Sequence, residues 1–237
     1  MEIKAVLFDL DGTLLPMDQK AFLKIYFEEL AKALAPHGYE PKSLVDALWS
    51  GIFAMIKNDG SRLNETVFWE KFAESLGQEI YTKEEDLDHF YRNEYIMTRT
   101  ACRENPMARI VLDKVKGMGL TTVLATNPCF PAIATETRMS WVGLQPQDFT
   151  FVTTYENSSF CKPNPRYYLE ILEKLGLKPE ECLMVGNDVS EDMVAADICM
   201  KVFLLTDCIL NRENKDISGY PSGGYPELLA YLDTLSE

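Results

Sequence analysis

Two aspartates one residue apart, Asp9 and Asp11, are the first side chains in the chain that could do chemistry. They follow residues 3–8, a run of β-branched and aromatic residues that predicts a buried strand, and Gly12 comes directly after them. A carboxylate pair at a strand end can supply a nucleophile and a proton donor, and it can bind a divalent cation. Because Asp also ends strands for reasons of turn geometry, the pair needs further polar partners before it indicates catalysis.

Three further polar clusters supply such partners: Thr126 and Asn127 after predicted strand 120–125, Lys162 after predicted strand 149–154, and Asp188 and Asp192 after predicted strand 182–185. In an open parallel sheet the carboxyl ends of neighbouring strands form the binding crevice. Clustered carboxylates repel one another unless a cation lies among them, and their hard oxygen atoms favour Mg²⁺. The ammonium of Lys162, the Thr126 hydroxyl and the backbone at Gly12 add donors for an anion. The clusters together predict a site for Mg²⁺ and a phosphate group.

The elements that would hold these clusters follow two different patterns. Between residues 18 and 99 apolar residues recur at helical spacing, with a capping box expected at Thr82 and no convincing strand. From residue 106 onward predicted helices alternate with predicted strands, which is typical of a parallel sheet with helices on both faces; residues 207–224 predict a loop. We therefore expect an α/β fold with two domains: a Rossmann-like core of residues 1–16 and 100–237, and an inserted all-helical cap domain of residues 17–99.

The polar clusters resemble the motifs of the haloacid dehalogenase-like hydrolase superfamily. Residues 8–15, Phe-Asp-Leu-Asp-Gly-Thr-Leu-Leu, resemble its first motif; the other three correspond to residues 125–127, Lys162-Pro163, and residues 186–192. The order and spacing match across essentially the whole chain, and the helical insertion resembles the subclass with a helical cap. The dehalogenase members lack the second aspartate of the first motif, so Asp11 places the chain with the members that transfer phosphoryl groups.

The resemblance implies a role for each site residue and an Mg²⁺-dependent phosphatase activity. Asp9 would attack phosphorus to form an aspartyl-phosphate, and Asp11 would protonate the leaving alcohol and then activate the water that cleaves this intermediate. The remaining implied roles are Mg²⁺ binding by Asp9, the Asp11 carbonyl and Asp188, phosphate binding by Gly12, Thr126, Asn127 and Lys162, and support by Asn187 and Asp192.

Several alternatives stay open at this level. Asp192 lies near the start of a predicted helix, where an acid also serves as a cap, and Asn187 could simply shape its turn. A phosphomutase would use the same residues but return the phosphoryl group to the substrate. A receiver-like phosphoacceptor is disfavoured, because such domains place the phosphorylated aspartate after a middle strand and carry no helical cap.

The amino-acid composition indicates which classes of binding partner are unfavourable for this protein. The 237 residues include 23 Lys and Arg against 37 Asp and Glu, and the resulting net charge of −14 disfavours nucleic acids and anionic membranes. The acid at Glu2 and the lack of a long apolar run predict a cytoplasmic protein without a membrane segment, in which the six cysteines are reduced. A helical lid over the site favours a small soluble phosphate ester as substrate. The sequence decides neither which ester this is nor the oligomeric state.

Overall fold

A six-stranded, fully parallel sheet forms the centre of the protein. The computed structural model describes residues 2–236. The strands are β1 (Ala5–Phe8), β2 (Thr121–Leu124), β3 (Phe151–Val152), β4 (Cys182–Gly186), β5 (Lys201–Leu205) and β6 (Ser222–Gly223). Their order is β3-β2-β1-β4-β5-β6, so the direction in which strands are added reverses between β1 and β4. This topology confirms the predicted α/β, Rossmann-like fold and puts the expected crevice at the carboxyl ends of β1 and β4.

Helices cover both faces of this sheet, as its buried strands require. Along β1, Val6 and Phe8 pack into one apolar cluster, whereas Ala5 and Leu7 pack into the other, because successive side chains point to opposite faces. The helices are α1 (Gln19–Leu34), α2 (Pro41–Ile56), α3 (Asn64–Leu76), α4 (Glu84–Arg92), α5 (Pro106–Gly117), α6 (Ala132–Ser140), α7 (Pro165–Leu175) and α8 (Tyr225–Asp233). Helices α5 and α8 lie on the first face, and α7 lies on the second.

The segment between β1 and β2 begins with α1 to α4 and a 3-10 helix over Glu94–Ala101. The two ends of this helical segment meet, since Met17 forms an isolated antiparallel bridge with Cys102 and the Asp18 N–H donates to the Ala101 carbonyl at 2.9 Å. The Asp18 side chain also caps α1 by accepting from two backbone amides. The helical content matches the expectation for a cap, whereas the domain boundaries at residues 16 and 100 stay a prediction.

Four local predictions are wrong. Helix α4 begins at Glu84 without a side-chain cap, because Thr82 lies in a 3-10 helix and its hydroxyl donates to the Glu79 carbonyl at 2.7 Å. Strand β3 has two residues rather than six. The helix expected at residues 190–196 is a 3-10 helix over Met193–Ile198. Residues 207–224 are not all loop, because β6 pairs with Leu204 and Leu205.

Two further features concern the predictions of no membrane segment and of reduced cysteines. No helix within residues 2–236 combines the length and apolar character needed to cross a membrane. All six cysteines carry free thiols, although the Cys129 and Cys161 sulfurs lie 3.8 Å apart.

Candidate active site

A pocket of about 80 Å³ opens at the carboxyl ends of β1, β2 and β4. Strand β1 delivers Asp9 to it, and the position is fixed because the Asp9 N–H donates to the Val185 carbonyl of β4 at 2.9 Å. The pocket is lined by seven of the predicted site residues, together with Gln19 and Glu191: Asp9, Asp11, Thr126, Asn127, Asn187, Asp188 and Asp192. The structure therefore brings together side chains from three motifs that are far apart in sequence.

Lys162 forms ion pairs with two of the carboxylates that line the pocket. Its ammonium lies 2.9 Å from Asp9 Oδ1 and 2.6 Å from Asp192 Oδ1, and the side chain is 1% exposed. Burial alone would lower the pKa of Lys162, but the adjacent carboxylates of Asp192 and Asp9 outweigh burial and raise it well above its usual value. Lys162 is thus a fixed positive charge beside Asp9.

Thr13 orients the second oxygen of Asp9. The Thr13 hydroxyl lies 3.1 Å from Asp9 Oδ2 and 2.9 Å from Asn187 Oδ1, and its single proton can be donated to one of them at a time. The Asn187 amide in turn donates to the Cys208 carbonyl at 2.7 Å. Asn187 therefore reaches Asp9 through Thr13, which is a more specific position than that of a residue that only shapes a turn.

Gly12 does not have the geometry expected of a phosphate-binding residue. Its N–H donates within the loop to the Leu15 carbonyl at 2.8 Å, so this amide is already occupied. A Cβ at this position, where φ is +96°, would stand 2.3 Å from Asn187 Nδ2. Glycine is therefore required because the loop turns in the left-handed region and approaches Asn187 closely. The phosphate contact expected of Gly12 finds no support in this geometry.

Asp192 supports the site rather than capping the helix that follows it. Its carboxylate accepts from Lys162 and from the Asp188 N–H at 2.9 Å, and it makes no cap hydrogen bond to the 3-10 helix. The close fit requires Gly186, where a Cβ would lie 2.2 Å from the Asp192 carboxyl group. Asp188 is held by its own turn, in which Oδ1 accepts from the amides of Ser190 and Glu191.

Asn127 links the second and third motifs. Its Oδ1 accepts from the Lys162 N–H at 3.2 Å, and its Nδ2 donates to Glu191 Oε2 at 3.0 Å. Burial raises the pKa of the Glu191 carboxyl, and the nearby Asp188 and Asp9 charges add to this against the opposing charge of Lys162. Thr126 is fixed through its carbonyl, which accepts from the hydroxyls of Thr153 and Tyr167. Its side chain lines the pocket beside Asn127.

Asp11 lies against Arg138, a residue that the sequence did not single out. Arg138 Nε is 3.0 Å from Asp11 Oδ1, and the arginine side chain is fully buried. The contact lacks good hydrogen-bond alignment, since neither atom has a hydrogen-bond partner among the described residues. Arg138 also donates to the Tyr95 hydroxyl at 2.5 Å and lies over the Phe130 ring, with 4.5 Å from the guanidinium carbon to the ring centroid.

The Asp11 carboxyl favours its protonated form more than an exposed aspartate does. Burial raises its pKa, the Arg138 charge opposes this increase, and the neighbouring Asp9 charge adds to it. A carboxyl group with a raised pKa beside a second carboxylate is a common arrangement for a general acid. The pocket therefore contains one carboxyl group, Asp9, that is ion-paired with Lys162 and another, Asp11, that is biased towards protonation.

The donors fit a hard divalent cation. Asp9, Asp11 and Asp188 line the pocket, and carboxylate oxygens are hard ligands of the kind that Mg²⁺ prefers. No three acidic, His or Cys side chains of residues 2–236 converge into a metal-binding group. Asp188 Oδ2 accepts from Arg212 Nη1 at 2.6 Å, but the Arg212 side chain is 56% exposed and can move away without leaving a buried position.

Arg138 and Arg212 were missed for different reasons. Arg138 lies one helical turn after Ala134 on the buried face of α6, so a charged residue at an apolar position of the helix was a signal that could have been used. Arg212 lies in the long connection after β5 and reaches Asp188 only because that connection folds back over the site. Nothing in the local sequence indicates that contact.

Similarity to known proteins extends over nearly the whole chain. A model of the haloacid dehalogenase-like hydrolase family matches residues 3–197. The pyrophosphatase PpaX of Bacillus cereus strain AH820 is 24% identical over 188 residues, which cover 79% of this chain and 76% of PpaX. YhcW of Bacillus subtilis strain 168 is 25% identical over 203 residues, covering 86% and 83% of the two chains. The crystal structure of a phosphatase from Thermococcus onnurineus shares the fold, with a TM-score of 0.58 at 21% identity and coverage of 97% and 98%.

Proposed function

Because this chain belongs to the haloacid dehalogenase-like hydrolase family, we propose that it is a phosphatase that hydrolyses a small phosphomonoester through an aspartyl-phosphate on Asp9. The observation that carries the proposal is the placement of Asp9 between Lys162 and Thr13, with Asp11 in the same pocket. The names of the relatives point the same way, since PpaX is described as a pyrophosphatase and the Thermococcus protein as a phosphatase.

In the first step the Asp9 carboxylate attacks phosphorus, and the bond to the leaving oxygen breaks. Lys162 and Thr13 hold Asp9 in one orientation, so little reorganisation is needed before attack. Negative charge then spreads over the non-bridging oxygens of the transferred group. We assign the stabilisation of those oxygens to the Thr126 hydroxyl and Asn127, which line the pocket, and to Lys162, whose ammonium lies beside Asp9.

Asp11 acts as the acid and then as the base. Its raised pKa favours a proton that it can give to the leaving alcohol, and the carboxylate it becomes can take a proton from the water that hydrolyses the aspartyl-phosphate. Arg138 of α6 contacts the Asp11 side chain and is a positioning residue in this scheme. A dehalogenase has no need of this second carboxyl group, so Asp11 favours phosphoryl transfer.

We propose Mg²⁺ as the cofactor, held by Asp9, Asp188 and the Asp11 carbonyl, with Asp192 fixing Asp188 from behind. When bound, Mg²⁺ would offset the charge of a phosphate dianion that approaches several carboxylates. Arg212 is the group that must release Asp188 for this ligand set to form.

The small catalytic pocket and the helical segment together favour a substrate of low molecular mass. The catalytic pocket of about 80 Å³ has room for a phosphate group and little more, so the leaving group must extend beyond it. We place the leaving group towards helices α1 to α4, because Gln19 of α1 lines the pocket. We propose that these helices form a lid that excludes bulk water, which leaves no room for a folded phosphoprotein or a duplex.

The test is release of inorganic phosphate from a panel of small phosphate esters, with and without Mg²⁺. We expect turnover that requires Mg²⁺ and is inhibited by Ca²⁺, because the larger ion takes more ligands and would draw both Asp9 oxygens into its shell. Full activity in excess chelator would contradict the metal assignment. Conversion of a sugar phosphate to its isomer with little free phosphate would identify a phosphomutase instead.

A further inference from the structure

A second and larger cavity, of about 300 Å³, lies between the helical segment and the segment after β2. Its volume is at the lower end of the range of ~300–1,000 Å³ that is usual for small-ligand sites. Seven of its lining residues are aromatic: Tyr26, Phe68, Trp69, Phe72, Tyr91, Phe130 and Tyr155. Aromatic rings present a negative face to a ligand between them.

Four carboxylates accompany the rings: Glu65, Glu84, Asp88 and Glu156. Among the described residues that line the cavity there is no Lys or Arg. Asp88 pairs with Arg92 at 3.4 Å on the exposed side of α4, whereas no ion pair is found for the other three within residues 2–236. The cavity thus combines a largely aromatic lining with three carboxylates that form no ion pair within residues 2–236.

Glu156 is the carboxylate most clearly arranged for a ligand. Its Oε1 accepts from the Ala132 N–H at 2.8 Å, which fixes the side chain at the start of α6. Its Oε2 is buried and has no hydrogen-bond partner among the described residues. Burial also raises the pKa of Glu65, and the Glu156 and Glu84 charges raise it further. A buried carboxylate oxygen without a partner, close to a second repelling carboxylate, is stabilised if a cation binds between them.

We propose that this cavity binds an organic cation, either a primary amine or a quaternary ammonium group. The rings supply cation–π contacts to an ammonium that carries apolar substituents, and Glu156 with Glu65 supplies the opposite charge. A small inorganic cation would leave the ring faces unused, and a neutral apolar ligand would leave the buried oxygen unpaired. The net charge of −14 further attracts cations to the protein.

The cavity shares a wall with the surroundings of the catalytic pocket. The Cys129 sulfur lies 3.7 Å from Asn127 Oδ1, and the Phe130 ring that lines the cavity lies over Arg138. The cation can therefore come from two sources, a free amine or the cationic end of a phosphate ester. Both present the same chemistry to the cavity.

Calorimetric titration with choline tests the proposal without requiring any activity. We expect choline to bind the wild-type protein at least about tenfold more tightly than 3,3-dimethylbutan-1-ol, its neutral isostere. Glu156→Gln keeps the shape of the side chain, including its acceptor for Ala132, and should weaken choline binding about tenfold without affecting the isostere. Glu65→Gln provides a second variant in case the first one folds poorly. The matched control is Glu74→Gln on the exposed side of α3, which should bind choline like wild type.

The proposal is overturned if choline fails to bind, if the neutral isostere binds equally well, or if both variants bind choline like wild type. The second arm compares kcat/KM for phosphocholine with that for 3,3-dimethylbutyl phosphate. A preference for phosphocholine that Glu156→Gln removes identifies the cation as part of the substrate. Choline binding without that preference identifies a free amine. Absence of any phosphatase activity would refute the proposed function and leave the binding result intact.

Discussion

The edge of the sheet and the cavity under the helical segment both carry clustered carboxylates, but within residues 2–236 only at the edge do buried basic side chains lie among them. At the sheet edge Asp9 and Asp192 share Lys162, and Asp11 contacts Arg138. In the cavity Glu65 and Glu156 face aromatic rings and no lysine or arginine among the described lining residues. The difference suggests that the edge is organised before a substrate arrives, whereas the cavity needs its ligand to balance the charge.

Arg138 connects these two regions. It contacts Asp11 at the sheet edge, donates to Tyr95 of the helical segment, and lies over Phe130 in the cavity wall. A change at either end of this contact chain therefore has a physical route to the other. Variants at the sheet edge, at Arg138 and at a site far from both regions can separate what each of them contributes to catalysis and stability.

The largest effect is expected for Asp9→Asn, because an amide cannot form the acyl-phosphate and carries no charge for a metal ion. We expect phosphate release to fall by at least about 10³-fold. Circular dichroism should show an intact fold, and an Asp46→Asn variant, at an exposed position of α2, should keep wild-type turnover. Near-native activity in Asp9→Asn would exclude the covalent mechanism.

Lys162→Met should damage both catalysis and stability, because it leaves Asp9 and Asp192 buried without their shared cation. We expect a loss of about 3–5 kcal/mol in the free energy of unfolding, measured by urea denaturation, and a fall of about 10²-fold or more in kcat. Lys71→Met removes an exposed ion pair with Glu74 and serves as the control, with an unfolding midpoint close to wild type. Unchanged stability of Lys162→Met would mean that Lys162 does not compensate the buried charges of Asp9 and Asp192.

Arg138→Met tests whether Arg138 positions Asp11, by comparing two phosphate esters whose leaving groups need different amounts of protonation. Since Arg138 positions the proton donor Asp11, turnover of an alkyl phosphate should fall about tenfold or more, whereas a nitrophenyl phosphate, which needs little protonation, should change by less than about threefold. Tyr95→Phe removes only the hydrogen bond behind Arg138 and should have a smaller effect on the alkyl ester. An equal loss of turnover for both esters would show that Arg138 has only a structural role.

The smallest effect is expected at Asp148, which lies outside both regions. Hydrogen bonds from Arg109 and Lys116 hold its pKa well below the usual value of 3.8. A carboxyl whose pKa is lowered by folding stabilises the protein above its unfolded pKa, and this contribution is lost as the pH falls below about 4. Asp148→Asn should therefore cost about 1–2 kcal/mol of unfolding free energy at pH 7 and progressively less towards pH 2, with kcat unchanged. A constant difference across this pH range would contradict the ion-pair explanation.

Sequence reasoning was most accurate where one local pattern determines one feature. The alternation of strands and helices predicted the parallel sheet, and Asp9, Asp188 and Asp192 could be expected near one edge because the strands before them are parallel neighbours. It failed where the outcome depends on competing local contacts. Thr82 donates to its own turn instead of capping α4.

The sequence by itself determined the fold class, the family resemblance and which residue types meet at the sheet edge, because the succession of strands along the chain and the motif after each of them can be read from local patterns. Tertiary structure alone decided which charges are balanced. Arg138 lies 127 positions after Asp11 and Arg212 lies 24 positions after Asp188, and both contacts form only when helices or loops fold over the sheet. The buried Glu156 oxygen and the aromatic cavity arise in the same way, because burial depends on packing between segments that no local pattern records.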